Sequence, residues 1–188
     1  MPGPVTKGGP TPVNGKALVA EPTQGTIKVK LPGSKKYVDL STLTSIPSGS
    51  IVDATKGKVT ITSVNAAGEE QTATFYGGVF QVIQKPGATI VLLILKGGDF
   101  KSCRAGNASA SSALASGRSG RHLWGSGKGH FKTEGNHGSA TVRGTIWFTE
   151  DRCDSTFFKV KRGVVSVRDF DAHRTISLRA GKTYTAGP

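Results

Sequence analysis

The sequence predicts an all-β fold, solenoid-like or a two-layer β-sandwich, built from about a dozen short strands. Three observations carry that expectation. Apolar and polar residues alternate over short runs, the period of a half-buried strand. Gly and Pro, 26 and 9 of the 188 residues, punctuate those runs, and the runs themselves are rich in Thr and Val, a mixture that favours strands joined by tight turns. No window carries a helical period. A chain of 188 residues is long enough for one domain with its own core.

Residues 1–24 are rich in Pro, Gly and Thr and are expected to form a linker or N-terminal arm, with Ala17–Ala20 as an added edge strand. The β domain is expected over 25–185. Its first strand is Gly25–Leu31, with Ile27, Val29 and Leu31 on one face and Lys28 and Lys30 on the other. Pro32-Gly33 turns the chain. Short strands follow at Tyr37–Leu40, Ile51–Ala54 and Lys58–Thr62, then a pair at Gln71–Tyr76 and Val79–Ile83 around Gly77-Gly78. The longest apolar run, Ile90–Leu95, is expected to be a strand buried on both faces; it is far short of the about 20 residues that cross a bilayer as a helix. Residues 104–120 are low in complexity and too polar to offset ordering entropy, which predicts a flexible insertion.

The C-terminal part repeats the pattern. Ala140–Thr149 is broken by Gly144, an acidic turn Glu150–Asp154 follows, and then come Thr156–Val160, Val164–Val167, Thr175–Leu178 and Thr183-Tyr184. Two stretches echo earlier ones. Thr55-Lys56-Gly57-Lys58-Val59-Thr60-Ile61-Thr62 resembles Val142-Arg143-Gly144-Thr145-Ile146-Trp147-Phe148-Thr149, and Gly78-Val79-Phe80-Gln81-Val82 resembles Gly163-Val164-Val165-Ser166-Val167. The order is the same, which suggests two similar β halves, 25–95 and 129–185.

The formal charge is +13, from 25 Lys and Arg against 12 Asp and Glu. Such a field attracts polyanions without specifying one. The cations are spread along the chain rather than gathered in a run, so a solvated surface with no dedicated partner is the competing reading. Cys103 and Cys153 are the only cysteines; an even pair is either a disulfide or two buried thiols. The N-terminal Met1–Pro10 has no apolar signal-peptide core, so an exported form is expected to take its signal from outside this sequence.

Several of these segments together resemble the extracytoplasmic FecR-type domain. The parallels are Gly25–Val29, Pro47–Val52, Gly57–Ile61, Val142–Trp147, Gly163–Val167 and Ala180–Tyr184. Val142-Arg143-Gly144-Thr145 is the most specific of them. The chain is also similar to Gly-rich, basic, two-cysteine β domains of exported actinobacterial proteins. The resemblance implies an all-β extracellular or cell-surface domain that binds rather than catalyses, and in that compartment a Cys103–Cys153 disulfide. FecR regulators also carry a transmembrane helix and a cytoplasmic anti-sigma segment, and the 104–120 insertion and the cysteine pair are additions here, so iron-uptake signalling is not carried over.

Candidate chemistry is sparse. Gly125–Gly129 lacks the spacing and the Ser or Thr of a phosphate-binding loop. His122, His130, His137 and His173 have no metal-ligand spacing, and Glu150–Asp154 lacks the periodicity of a calcium loop. No nucleophile elbow or carboxylate pair suggests a hydrolase. Neither catalysis nor a cofactor or metal is expected. Tyr76, Phe75, Trp124, Phe131 and Trp147 are candidates for a stacking platform; all but Trp124 are expected in the core, and Trp124 is placed in a loop as the ligand contact. The leading expectation is therefore a non-enzymatic extracellular structural or interaction domain, with self-association into a surface array or filament as its extension. The alternative is a polyanion-binding module for a cell-wall polymer, an acidic polysaccharide or, least expected, nucleic acid. It would use Lys28, Lys30, Lys35, Lys36, Lys159, Lys161 and Arg162. An enzyme with an unrecognised site is the third reading.

Overall fold

The computed structural model describes residues 9–104 and 120–188. Among these the chain is all-β; the one helical element is a 3-10 turn at Lys101–Arg104. The strands are β1 (Ala17–Lys30), β2 (Val38–Leu40), β3 (Thr44–Pro47), β4 (Ile51–Val64), β5 (Glu70–Tyr76), β6 (Val79–Ile83), β7 (Val91–Lys96), β8 (Arg121–Lys128), β9 (Phe131–Glu134), β10 (Gly138–Val142), β11 (Thr145–Asp151), β12 (Thr156–Arg162), β13 (Val164–Asp169), β14 (Arg174–Arg179) and β15 (Thr183–Ala186). They form one 15-stranded sheet, and twelve of them lie on a single path, β14-β13-β10-β9-β7-β6-β4-β5-β8-β11-β12-β15.

That path doubles back through β4. Its first stretch, Ile51–Asp53, pairs with β6, and its second, Lys58–Val64, pairs with β5. Two rows of strands result. One row runs from β4 through β5, β8, β11 and β12 to β15. The other runs from β4 through β6, β7, β9, β10 and β13 to β14. Strands pass from row to row at glycine corners: Gly77-Gly78 between β5 and β6, Gly129 between β8 and β9, Gly144 between β10 and β11, Gly163 between β12 and β13, and Gly181 between β14 and β15. At Gly144 and Gly163 φ is 113° and 84°, a backbone region closed to most side chains.

The sequence echoes fall on these corners. Gly57 and Gly144 mark the second-row-to-first-row changeovers in β4 and in β10–β11; Gly78 and Gly163 mark the return. The pairings repeat as well. β4 pairs with β6 and β5, and β6 with β7. In the same order β10 pairs with β13, β11 with β12, and β13 with β14. The correspondence extends to β1, which pairs along both stretches of β4, as β8 and β9 pair with β11 and β10.

The alternation noted in sequence decides what is buried. Inward residues of both rows make one core, in which Phe75 packs edge-on to Phe131 and Trp147 at centroid distances of 5.6 and 5.9 Å. Each such ring contributes roughly 1.5–3 kcal/mol on burial. Trp147 Nε1–H donates to Thr133 Oγ1 at 3.1 Å, and the Thr133 and Thr149 hydroxyls bond at 2.7 Å, so the core's polar atoms here are paired.

The path ends, β14 and β15, are latched by side chains. Tyr184 on β15 donates to Asp169 Oδ2 at 2.6 Å and accepts from Arg174 on β14 at 2.9 Å. Asp169 is buried. Burial by itself would raise its carboxyl, but hydrogen bonds from the Ala172 N–H, the Tyr184 hydroxyl and the Asp171 N–H, with the Arg174 charge, outweigh it and hold the carboxyl below its usual value. A second buried carboxylate, Asp151, accepts from Arg121 Nε at 2.8 Å, Thr156 Oγ1 at 2.6 Å and the Asn136 N–H at 2.9 Å. It fixes the start of β8 to the β11–β12 connection. The Cys103–Cys153 disulfide, with a Cα separation of 5.4 Å, ties the 3-10 turn to the same connection.

Four expectations are corrected. Ala17–Ala20 is a strand as expected, but an inner one, and 21–24 are not linker: β1 begins at Ala17 and lies between β3 and β4, with Leu18, Val19 and Ala20 buried. Leu31 lies beyond the end of β1 and is exposed. β7 is fully buried on one face only, through Val91, Leu93 and Leu95; Leu92, Ile94 and Lys96 on its other face are half-buried. Trp124 is in strand β8, not in a loop. The expected insertion at 104–120 falls, over 105–119, outside the described residues.

Candidate functional site

β8 explains why a strand passed for a loop. Its sequence, Arg121-His122-Leu123-Trp124-Gly125-Ser126-Gly127-Lys128, holds two glycines, which are depleted in strands. Both point inward. A Cβ on Gly125 would press on Cζ2 of Trp147 and lie 2.6 Å from its Cη2; a Cβ on Gly127 would meet the backbone and side chain of Ala73. The glycines make room for the core, and the alternate residues His122, Trp124, Ser126 and Lys128 face outward.

Cross-strand register then assembles the outer face of the first row. One transverse line runs Lys58, Tyr76, Trp124, Phe148, Lys159, Thr183, each residue directly opposite the next. Tyr76 and Trp124 are parallel within 4° at 6.1 Å, and Trp124 and Phe148 are 4.9 Å apart. Phe157 extends the aromatic group, 6.3 Å from Phe148. Lys58 lies over the Tyr76 ring and Arg152 over the Phe157 ring, contacts favourable by about 0.5–1 kcal/mol at exposed sites. These aromatics are partly exposed, unlike Phe75, Phe131 and Trp147, which are buried. The platform foreseen from sequence therefore divides: three rings are core, and Tyr76 joins Trp124 outside rather than packing inward.

The next line along the strands is Thr60, Thr74, Ser126, Ile146, Arg162. Beyond it lie Thr62, Thr72 and Lys128. Here the corner at Gly144 opens a cleft of about 480 Å³ lined by Ser126, Lys128, Arg143, Thr145, Ile146 and Arg162. Three cations and no carboxylate line it. A β-bulge in β12, where Ile146 pairs with Arg162 and Trp147 with Val160, turns Arg162 onto this face beside exposed Lys161. Arg143 is held by a chain of polar contacts. Its Nε–H donates to His130 Nε2 at 2.6 Å, and the His130 N–H donates to Oε1 of buried Gln71 at 2.8 Å. Thr145 is buried beside the cleft, and its hydroxyl has no hydrogen-bond partner among the described residues.

Of the residues singled out from sequence, Trp124, Lys159, Lys161 and Arg162 come together on this face. Lys28, Lys30, Lys35 and Lys36 do not. Lys28 lies on the outer face of the second row, opposite Asp39 and Asp53 in register. Lys30 lies over Tyr37 at 5.5 Å, and Lys35 and Lys36 are in the exposed turn after β1. Lys58, Lys128, Arg143, Phe148 and Phe157 were not singled out. Parity alone places Phe148 and Phe157 opposite to buried Trp147 and Phe158, but only register brings the rest into one line.

Among the described residues no group of three or more His, Cys, Asp or Glu could hold a metal ion, and no helix is long and apolar enough to cross a membrane. Comparison of the chain with protein-family models, with curated proteins and with solved structures finds no match.

Proposed function

We propose that this chain is a non-catalytic, extracellular module that binds an anionic polymer on the outer face of β8, β11 and β12. The single observation that carries the reading is the cleft at the Gly144 corner, where Lys128, Arg143 and Arg162 converge with no carboxylate among the lining residues. The ion pairs of the described residues engage Arg121, Lys132, His137 and Arg152 instead, so the cleft cations keep their charge for a ligand. The overall charge of +13 would speed encounter with any polyanion. The disulfide and the resemblance to FecR-type domains favour an oxidising, extracytoplasmic setting.

Polymer binding ranks ahead of self-association. β14, at one end of the path, carries exposed Arg174 and Arg179, and charged side chains there disfavour pairing of that edge with a second copy. The test is calorimetric titration with long-chain inorganic polyphosphate over a series of salt concentrations. Affinity is expected to fall steeply as salt rises. The K128A/R143A/R162A variant is expected to lose about tenfold or more in affinity and to show a shallower salt dependence. Absence of binding at low salt, or an unchanged triple variant, would reject the reading.

A further inference from the structure

We infer that the aromatic line Tyr76–Trp124–Phe148 is a sugar-stacking subsite continuous with the basic cleft, so that the anionic polymer is an acidic polysaccharide. The inference rests on the polymer-binding reading and adds the class of ligand.

The geometry is that of a track. The three rings stand on consecutive strands in one transverse line and are partly exposed. Neighbouring centroids are 6.1 and 4.9 Å apart, so the rings form one continuous apolar strip along the line. Lys58 and Lys159 cap the two ends of the line. With four strand spacings between them, they stand about 19 Å apart. The cleft cation Arg162 is two strand positions from the line, about 7 Å away.

What borders the rings separates sugars from nucleotides. Along each strand, on the cleft side, the outward neighbours of Tyr76, Trp124 and Phe148 are Thr74, Ser126 and Ile146; on the other side, Trp124 has His122 and Phe148 has Glu150. A nucleic acid stacked on the rings carries a phosphate at every unit and needs cations alongside each one. Here the hydroxyls of Thr74 and Ser126 lie alongside on the cleft side, with Ile146 beside them, and Glu150 on the far side is already paired with Arg152. Hydroxyls both donate and accept, as sugar hydroxyls do, and the charges sit at the ends of the line and in the cleft, where widely spaced carboxylates or sulfates would meet them.

The test compares three polyanions on the full chain at fixed ionic strength: a sulfated or uronic-acid polysaccharide, inorganic polyphosphate and a single-stranded oligonucleotide. Trp124 is itself the reporter, because Trp147, the other tryptophan, is buried. The polysaccharide is expected to bind most tightly and to change Trp124 emission. W124A and the strand-compatible Y76T are each expected to weaken polysaccharide binding about tenfold and polyphosphate binding by markedly less; two variants, each checked by thermal melt, separate lost contact from lost fold. Equal binding of polysaccharide and polyphosphate with both variants neutral would overturn the inference and leave the polymer-binding reading standing. Tightest binding of the oligonucleotide, weakened in W124A and Y76T, would overturn it in favour of nucleic acid. Binding of none of the three would overturn both.

Discussion

Replacing Gly125 by Ala tests the packing that turns Trp124 outward. The added methyl would contact Cζ2 of Trp147 and lie 2.6 Å from Cη2 and 2.7 Å from Cε2. The indole cannot retreat freely. Its N–H is bonded to Thr133, which is bonded to Thr149, and its ring packs edge-on to Phe75. Overpacking of this kind costs roughly 1–3 kcal/mol. If the indole shifts, the Trp147–Thr133 bond is strained or lost, for roughly 1 kcal/mol more. The sum is about 3 kcal/mol, which for a domain of this size lowers Tm by about 6–12 °C. Thermal and urea unfolding of G125A measure the cost. The same substitution in a W147F background identifies its origin, because the smaller ring frees space and the two changes should couple by about 1–2 kcal/mol. A G125A protein within 0.5 kcal/mol of the parent (roughly the limit for substitutions that disturb nothing), or additive costs in the double variant, would refute the claim that β8 is shaped around Trp147.

Reducing the Cys103–Cys153 bond, or making C103S/C153S, should lower stability by about 2–4 kcal/mol, since the bond closes a loop with a sequence separation of 50; urea midpoints with and without reductant report it. Asp169 sets an acid limit. Its folded carboxyl is held low, so its contribution is fully present above the unfolded value of about 3.9 and disappears as pH falls through the folded value. Stability measured from pH 6 downward should therefore drop more steeply for the parent than for D169N, and parallel acid limbs would contradict this. Y184F removes both the donor to Asp169 and the acceptor of Arg174. Amide exchange should accelerate in β14 and β15 while the β4–β5 amides keep their protection.

Much of the fold was legible because alternation reports burial directly. Ile27 and Val29, and Val59 and Ile61, are inward as their spacing implied, and Trp147 is in the core. The echoes of Lys56-Gly57 and Arg143-Gly144 fall where the chain changes rows, though for different reasons: Gly144 has a φ of 113°, whereas a Cβ on Gly57 would lie 2.9 Å from the Thr26 carbonyl oxygen. The failures have equally local causes. Glu21-Pro22-Thr23-Gln24 holds a proline and few strand-forming residues, yet pairing with β4 supplies what propensity lacks. Gly125 and Gly127 counted against a strand, although they are small because the opposing core is large. The candidate site was the least legible part. Trp124, Lys159 and Arg162 could be named singly, but their neighbours Tyr76, Lys128, Arg143 and Phe148 come from other strands. Which residue lies opposite which depends on register, and a single sequence does not carry register across the long connection between β7 and β8.

The most direct test of the central claim is to map where the anionic polymer touches the chain. Backbone amide shifts of isotopically labelled protein, recorded during titration with a uronic-acid or sulfated oligosaccharide, are expected to move at Ser126–Lys128, Arg143–Ile146 and Arg162, and along the line through Tyr76, Trp124 and Phe148. Shifts clustered instead around Lys28, Lys30, Lys35 and Lys36, or scattered evenly over the basic surface, would contradict the site proposed here.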